Sequence, residues 1–183
     1  MKNLILGTFF TLSFYTVYGQ SGPKTSAQEV ATPELAKKRE ASKKAIVSGY
    51  LSLKQDLVVS DSLKASKSAA ELSGSLSRFK FKKLGLVEMN AATSMRGKLI
   101  LLANKIADTH SINKQREHMA ELSEGMWTII EKLAPDNTVL YEQRCPMANK
   151  VWISDEKEIK NPYFPKNMLD CGAVIASVGA VQP

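Results

Sequence analysis

The stretch that decides the fold is Ser111 to Leu133, SINKQREHMAELSEGMWTIIEKL, followed one residue later by Pro135. Met119, Leu122, Met126, Ile129 and Leu133 recur in it at steps of 3, 4, 3 and 4. A helix of 3.6 residues per turn lays such residues along one face, so the spacing predicts an amphipathic helix from near Ser111 that ends before Pro135.

Upstream segments repeat the pattern. Ile46, Tyr50, Leu53 and Leu57 step by 4, 3 and 4, and Pro33 suits a first helical turn, giving a helix over about 34–59. Asp61 is placed to cap a second helix, on which Ala65, Ala69, Leu72, Leu76 and Phe79 form the stripe while serines fill much of the rest. Gly85 and the Lys82 Lys83 pair mark a break, and Met95, Leu99, Leu102 and Ile106 define a third helix over about 87–108. Four stripes with short links predict an all-α antiparallel four-helix bundle over 34–134.

After Pro135 the character changes. Val139 to Tyr141 and Val151 to Ile153 are short extended candidates, and Asn, Asp and Pro punctuate the remainder. Residues 135–177 therefore read as a loop-rich appendage packed on the bundle, one domain with it, with Tyr141, Trp152, Tyr163 and Phe164 available for contact.

At the other end Lys2, the apolar run Leu4 to Tyr15, and the small residues Val17 and Gly19 have the form of a secretory signal over 1–19, too short to span a bilayer. A flexible leader follows over 20–33. The expected site of action is outside the cytoplasm, the periplasm in a two-membrane bacterium. The net charge of +7 falls to +6 when Lys2 leaves with the signal. The cluster Lys37, Lys38, Arg39, Lys43 and Lys44 lacks interleaved aromatics and reads as a solvated helix face rather than a nucleic-acid or lipid surface.

The chemistry is concentrated in sulfur. The chain has two cysteines: Cys145 stands in Cys145 Pro146 Met147, and Cys171 follows Met168 by one helical turn's spacing. Thiolate and thioether are soft donors that favour Cu(I) over hard cations. His118, roughly 70° from the centre of its helix's stripe, borders the core where a covering tail can meet it. The candidate metal set is Cys145, Met147, Met168 and Cys171, with His118.

The competing reading is a Cys145–Cys171 disulfide, favoured by an oxidising compartment and contributing about 3 to 4 kcal/mol in the chain-entropy account. His118 is otherwise a boundary residue, and Met95, Met119 and Met126 are core. Cys145 with His118 could nominally make a thiolate pair, but no orienting residue or glycine-rich turn accompanies them, and no phosphate loop, zinc-protease helix or calcium loop is present. The chain is not read as an enzyme.

The words Ile112 to Ser123 (INKQREHMAELS), Tyr141 to Ala148 (YEQRCPMA), Trp152 Ile153 Ser154, and Glu158 to Gly172 with its NPYF and MLDCG segments resemble a helical domain family. That family occurs in secreted proteins of Bacteroidetes and related bacteria, and at the C-terminus of periplasmic adaptor subunits of heavy-metal efflux pumps. The resemblance covers about Ala45 to Ser177. It implies a periplasmic module linked to copper or a similar soft metal, with His118, Cys145, Met147, Met168 and Cys171 at the matching positions and efflux components as partners. Pro165 departs from the Gly usual after the NPYF word, and the third helix lacks the family's histidine near its middle.

The resulting expectation is an exported protein that binds Cu(I) for sequestration or handover. The alternative is a disulfide-stapled, metal-free interaction module of an efflux or envelope complex.

Overall fold

A computed structural model describes residues 32–179; the expected signal segment and most of the leader lie outside the described residues. Four long helices come first: α1 Pro33–Val58, α2 Ser62–Arg78, α3 Leu86–Ala107 and α4 Ile112–Trp127. The short α5, Ile130–Leu133, precedes three strands, β1 Leu140–Cys145, β2 Lys150–Ser154 and β3 Ala173–Val178.

Local signals set the helix ends. Pro33 occupies the first turn of α1 while the Thr32 hydroxyl accepts from the Leu35 N–H at 3.3 Å. The Asp61 carboxylate accepts from the Lys64 N–H at 3.0 Å, the cap the sequence predicts for α2. Each stripe then turns to the core: Ile46, Tyr50, Leu53, Leu57, Ala65, Ala69, Leu72, Leu76, Leu99, Ile106, Met119 and Leu122 are all fully buried. Met95 and Leu102 are half-buried and pack against that core.

The fourth helix is not continuous to Leu133. It stops at Trp127; the Thr128 hydroxyl bonds back to the Gly125 carbonyl at 2.7 Å, and Ile129 leaves helical geometry at φ −121°, ψ 12°. The run Thr128, Ile129, Ile130 is β-branched throughout, which crowds a helix interior. α5 resumes in a phase that keeps Ile130 and Leu133 buried.

The segment expected as loops with extended pieces is an antiparallel three-stranded sheet of order β2-β1-β3. β1 and β2 form a hairpin with Cys145 opposite Lys150, closed through Pro146 to Asn149, where Asn149 takes φ 49°. β3 is the unanticipated strand, and its register on β1 shifts between Glu142 and Gln143.

Consecutive helices pack along their lengths, whereas α1 and α4 meet in few places; β2 lies against α4 and also touches α1. Two phenols fix it there. Tyr50 of α1 accepts from the Ile153 N–H at 3.0 Å and donates to Ser123 of α4 at 2.7 Å, and Ser123 donates to the Met119 carbonyl. Tyr163 donates to the Val151 carbonyl at 2.5 Å. Two backbone groups of β2, the Ile153 N–H and the Val151 carbonyl, are thereby satisfied inside the protein. Among the described residues no helix is long and apolar enough to cross a membrane.

Candidate functional site

Alternation along β1 gives Gln143 and Cys145 one face, and both are fully buried while Arg144 between them is exposed. Because the chain reverses through Pro146 to Asn149, the N–H groups of Met147 and Ala148 are directed back at the Cys145 sulfur. Pro146 contributes no N–H of its own.

Cys171 reaches the same place from the opposite direction. Its N–H bonds to the Met168 carbonyl at 3.2 Å, a single turn, and Gly172 and β3 follow directly. The Gly172 position is crowded: a Cβ there would lie 2.8 Å from the ring edge of Trp152 and 3.0 Å from Ile159 Cγ2. Trp152 is held by its indole N–H bond to the Gln143 Oε1 at 2.6 Å, and Gln143 in turn donates to the Glu156 and Glu158 carbonyls.

The result is a close thiol pair, Cys145 Sγ to Cys171 Sγ 3.0 Å, with both cysteines in the free form. Burial pushes the Cys145 thiol up, but the hydrogen bonds it receives from Cys171, Ala148, Met147 and the Asn161 side chain prevail and bring it below the ordinary value. Cys171 is raised, first by its hydrogen bond to Cys145, then by desolvation and by the neighbouring charge. Of the two thiols, Cys145 is therefore the one that gives up its proton more readily to become a thiolate, the form that serves as nucleophile or metal ligand.

Asn161, the first residue of the NPYF word, organises the loop between the cysteines. Its Oδ1 accepts from the N–H groups of Tyr163 (2.9 Å) and Phe164 (3.3 Å), its Nδ2 donates to the Cys171 carbonyl (3.3 Å), and its own N–H bonds the Leu169 carbonyl (2.8 Å). Neither Asn161 nor Trp152 and Gly172 stand out as site residues in the sequence. Asn-Pro as a turn opener was the available signal.

Of the remaining candidates, Met147 sits on the hairpin turn with 79 % of its surface exposed, and Met168 is half-buried one turn before Cys171. His118 is half-buried on α4, its Nδ1 shielded and without a hydrogen-bond partner among the described residues. No three side chains from His, Cys, Asp and Glu gather into a metal-holding group among the described residues. An ion at the pair would be held by the two thiols and by whatever thioether swings onto it.

The architecture defines a class: a helical domain with a small C-terminal antiparallel sheet carrying paired thiols. The profile of the family described as Protein of unknown function (DUF3347) matches residues 46–138, just over half of the 183 residues, and the chain belongs to that family. The match runs from the second half of α1 through α5, so both cysteines lie beyond it. No curated protein and no solved structure matches the chain.

Proposed function

We propose that Cys145 and Cys171 form a two-thiol site that captures a soft metal ion, Cu(I) first, in an exported protein. The observation that carries this reading is the 3.0 Å approach of the two sulfurs; despite burial, the hydrogen bond from Cys171 and those from the Ala148 and Met147 N–H groups make Cys145 the more acidic of the pair. Two thiolates suit a soft monovalent ion, and each metal–sulfur bond is about 2.3 Å, so loading parts the sulfurs to roughly 4 Å. Cys171 sits on a half-exposed turn and can make that move, while Cys145 is fixed in β1. Met168 and Met147 are the thioethers proposed to complete the shell, with His118 as a further candidate donor. The two-residue ligand core supports sequestration or handover rather than catalysis.

The wider setting belongs to the same proposal: export through the N-terminal signal, a periplasmic location, and partnership with heavy-metal efflux components. The helices are read as a four-helix bundle in which β2 fills the seam between α1 and α4, with residues 135–177 part of the same domain.

Anaerobic titration of the reduced protein with Cu(I) against a competing chelator is expected to give one ion per chain. Equal affinity in the Cys145→Ser, Cys171→Ser double variant would end the reading.

A second reading, a disulfide-stapled module that binds an envelope partner without metal, is favoured by the same short separation and the burial of Cys145. A thiol count on protein taken from its native compartment separates the two: two thiols after chelator treatment support the metal site, none supports the staple.

A further inference from the structure

The link between α2 and α3 sorts its residues to opposite sides. Phe79 is extended, and from there burial alternates: Phe79 and Phe81 are in the core, edge to face with centroids 5.2 Å apart, while Lys80 and Lys82 are exposed. Arg96 of α3 donates to the Phe79 carbonyl, which fixes the link to the bundle. The chain then turns at Lys83, left-handed at φ 58°, and enters α3 with Leu86 and Val87, which are 78 % and 84 % exposed. A Cβ on Gly85 would meet nothing within 4 Å, so this tip projects from the bundle.

The start of α1 lies beside it. The Arg39 guanidinium carbon is 5.7 Å from the centroid of the Phe79 ring, and Lys37 and Lys38 just before it are exposed. Of the acids here, Glu88 holds Lys132 at 2.8 Å and Glu40 accepts from the Asp136 N–H at 2.8 Å, while Glu34 lies in the first turn of α1. Along the sequence the α1 cations have no aromatic residue among them. In the structure they share one end of the bundle with a second basic segment and two bare aliphatic side chains.

We infer that this end of the bundle rests on an anionic phospholipid surface, with Leu86 and Val87 entering the headgroup boundary while Arg78, Lys80, Lys82 and Lys83 lie over the phosphates. Aliphatic side chains gain by leaving water, each cation near an anionic bilayer adds attraction, and long basic side chains can keep their charge among the headgroups while their stems follow the apolar pair inward. A projecting tip offers no groove to a peptide, and a soluble acidic partner that met the charges alone would leave Leu86 and Val87 in water. A bilayer, charged at its surface and apolar beneath, fits both features.

The test is co-sedimentation of the chain lacking residues 1–19 with phosphatidylcholine vesicles that contain about 30 % phosphatidylglycerol or none. Binding is expected on the anionic vesicles, about tenfold or more weaker on the neutral ones, and weaker when salt is raised from about 0.05 M to about 0.5 M. Lys80→Gln with Lys83→Asn, which suits the left-handed position, should weaken binding about tenfold, and Leu86→Ser with Val87→Ser should do so by a similar factor. Lys105→Gln with Lys114→Gln removes the same charge from the far end of α3 and the start of α4 and should leave binding within about twofold. No binding to anionic vesicles, equal binding to neutral ones, or an equal loss in the Lys105, Lys114 variant overturns the inference. So does binding indifferent to the Leu86, Val87 change, which would be adsorption by charge alone and would point to an acidic partner. All the substituted residues are exposed, and unchanged thermal unfolding checks that each variant folds. The assay contains no metal, so its result stands apart from the reading of the thiol pair.

Discussion

Gly172 shows how finely a residue's size is set beside the sulfur pair. A methyl group at that position meets the Trp152 ring edge, Ile159 and the Arg144 carbonyl at 2.8, 3.0 and 3.2 Å, and none of the three is the loose end of a flexible chain. Gly172→Ala is expected to destabilise by about 1 to 3 kcal/mol, as overpacking does in a filled core, measurable by urea denaturation. Tyr50 makes the opposite point. Tyr50→Phe keeps the ring but leaves the buried Ile153 N–H without its acceptor, at a cost of about 1 to 3 kcal/mol, again read by denaturation. Lys54 is also buried, with its ammonium bonded to the Ser154 hydroxyl, and burial lowers its pKa from 10.5. Below that value the unfolded chain binds the proton more readily than the folded one, so this residue's penalty shrinks as pH rises through the folded pKa toward 10.5. The stability gap between Lys54→Met and the native protein should therefore narrow between pH 7 and pH 10.

At the scale of elements, the Asp61 cap is a sign-defined case. Hydrogen bonds from the Lys64 N–H and then its side chain hold the carboxyl below its usual 3.8, so the stabilisation is present above that value and lost as pH falls through the folded pKa. Asp61→Ala should melt at lower temperature than the native protein at pH 7, and the difference should disappear in strong acid. The sequence made this cap legible because side-chain type and position both pointed to it. It did not make the break in the fourth helix legible. Met126, Ile129 and Leu133 hold the helical spacing straight through the interruption at Thr128, since periodicity reports which side meets the core and not whether the backbone is continuous. β3 was hidden for a related reason: Ala173 to Val178 is nearly uniform in polarity and mostly exposed, so no alternation marks it. The cysteines were visible as types, but their 3.0 Å approach depends on a sheet and a loop joined by Asn161, a residue that looks like any turn opener.

For the whole molecule, the sheet is structural as well as chemical. α1 and α4 barely meet, and Trp152, Ile153 and Tyr163 bury themselves in the same cluster as Tyr50, Met119 and Leu122. A fragment ending at 138, where the family match ends, would expose that face to water. It is expected to lose cooperative unfolding, measured by calorimetry against the 32–179 chain; an equally sharp transition in the fragment would show that the helices stand alone. The two edges of the sheet are managed differently, β2 by internal partners and β3 by the irregularity in its pairing, which discourages a further strand from adding there.

The contact of Trp152 with Gly172 also gives the protein a built-in optical gauge. The chain has two tryptophans, and in a Trp127→Phe background the only indole emission would come from a ring whose edge rests on the residue next to Cys171. Quenching or a wavelength change on adding metal or oxidant would then follow the state of the sulfurs in real time, without any label.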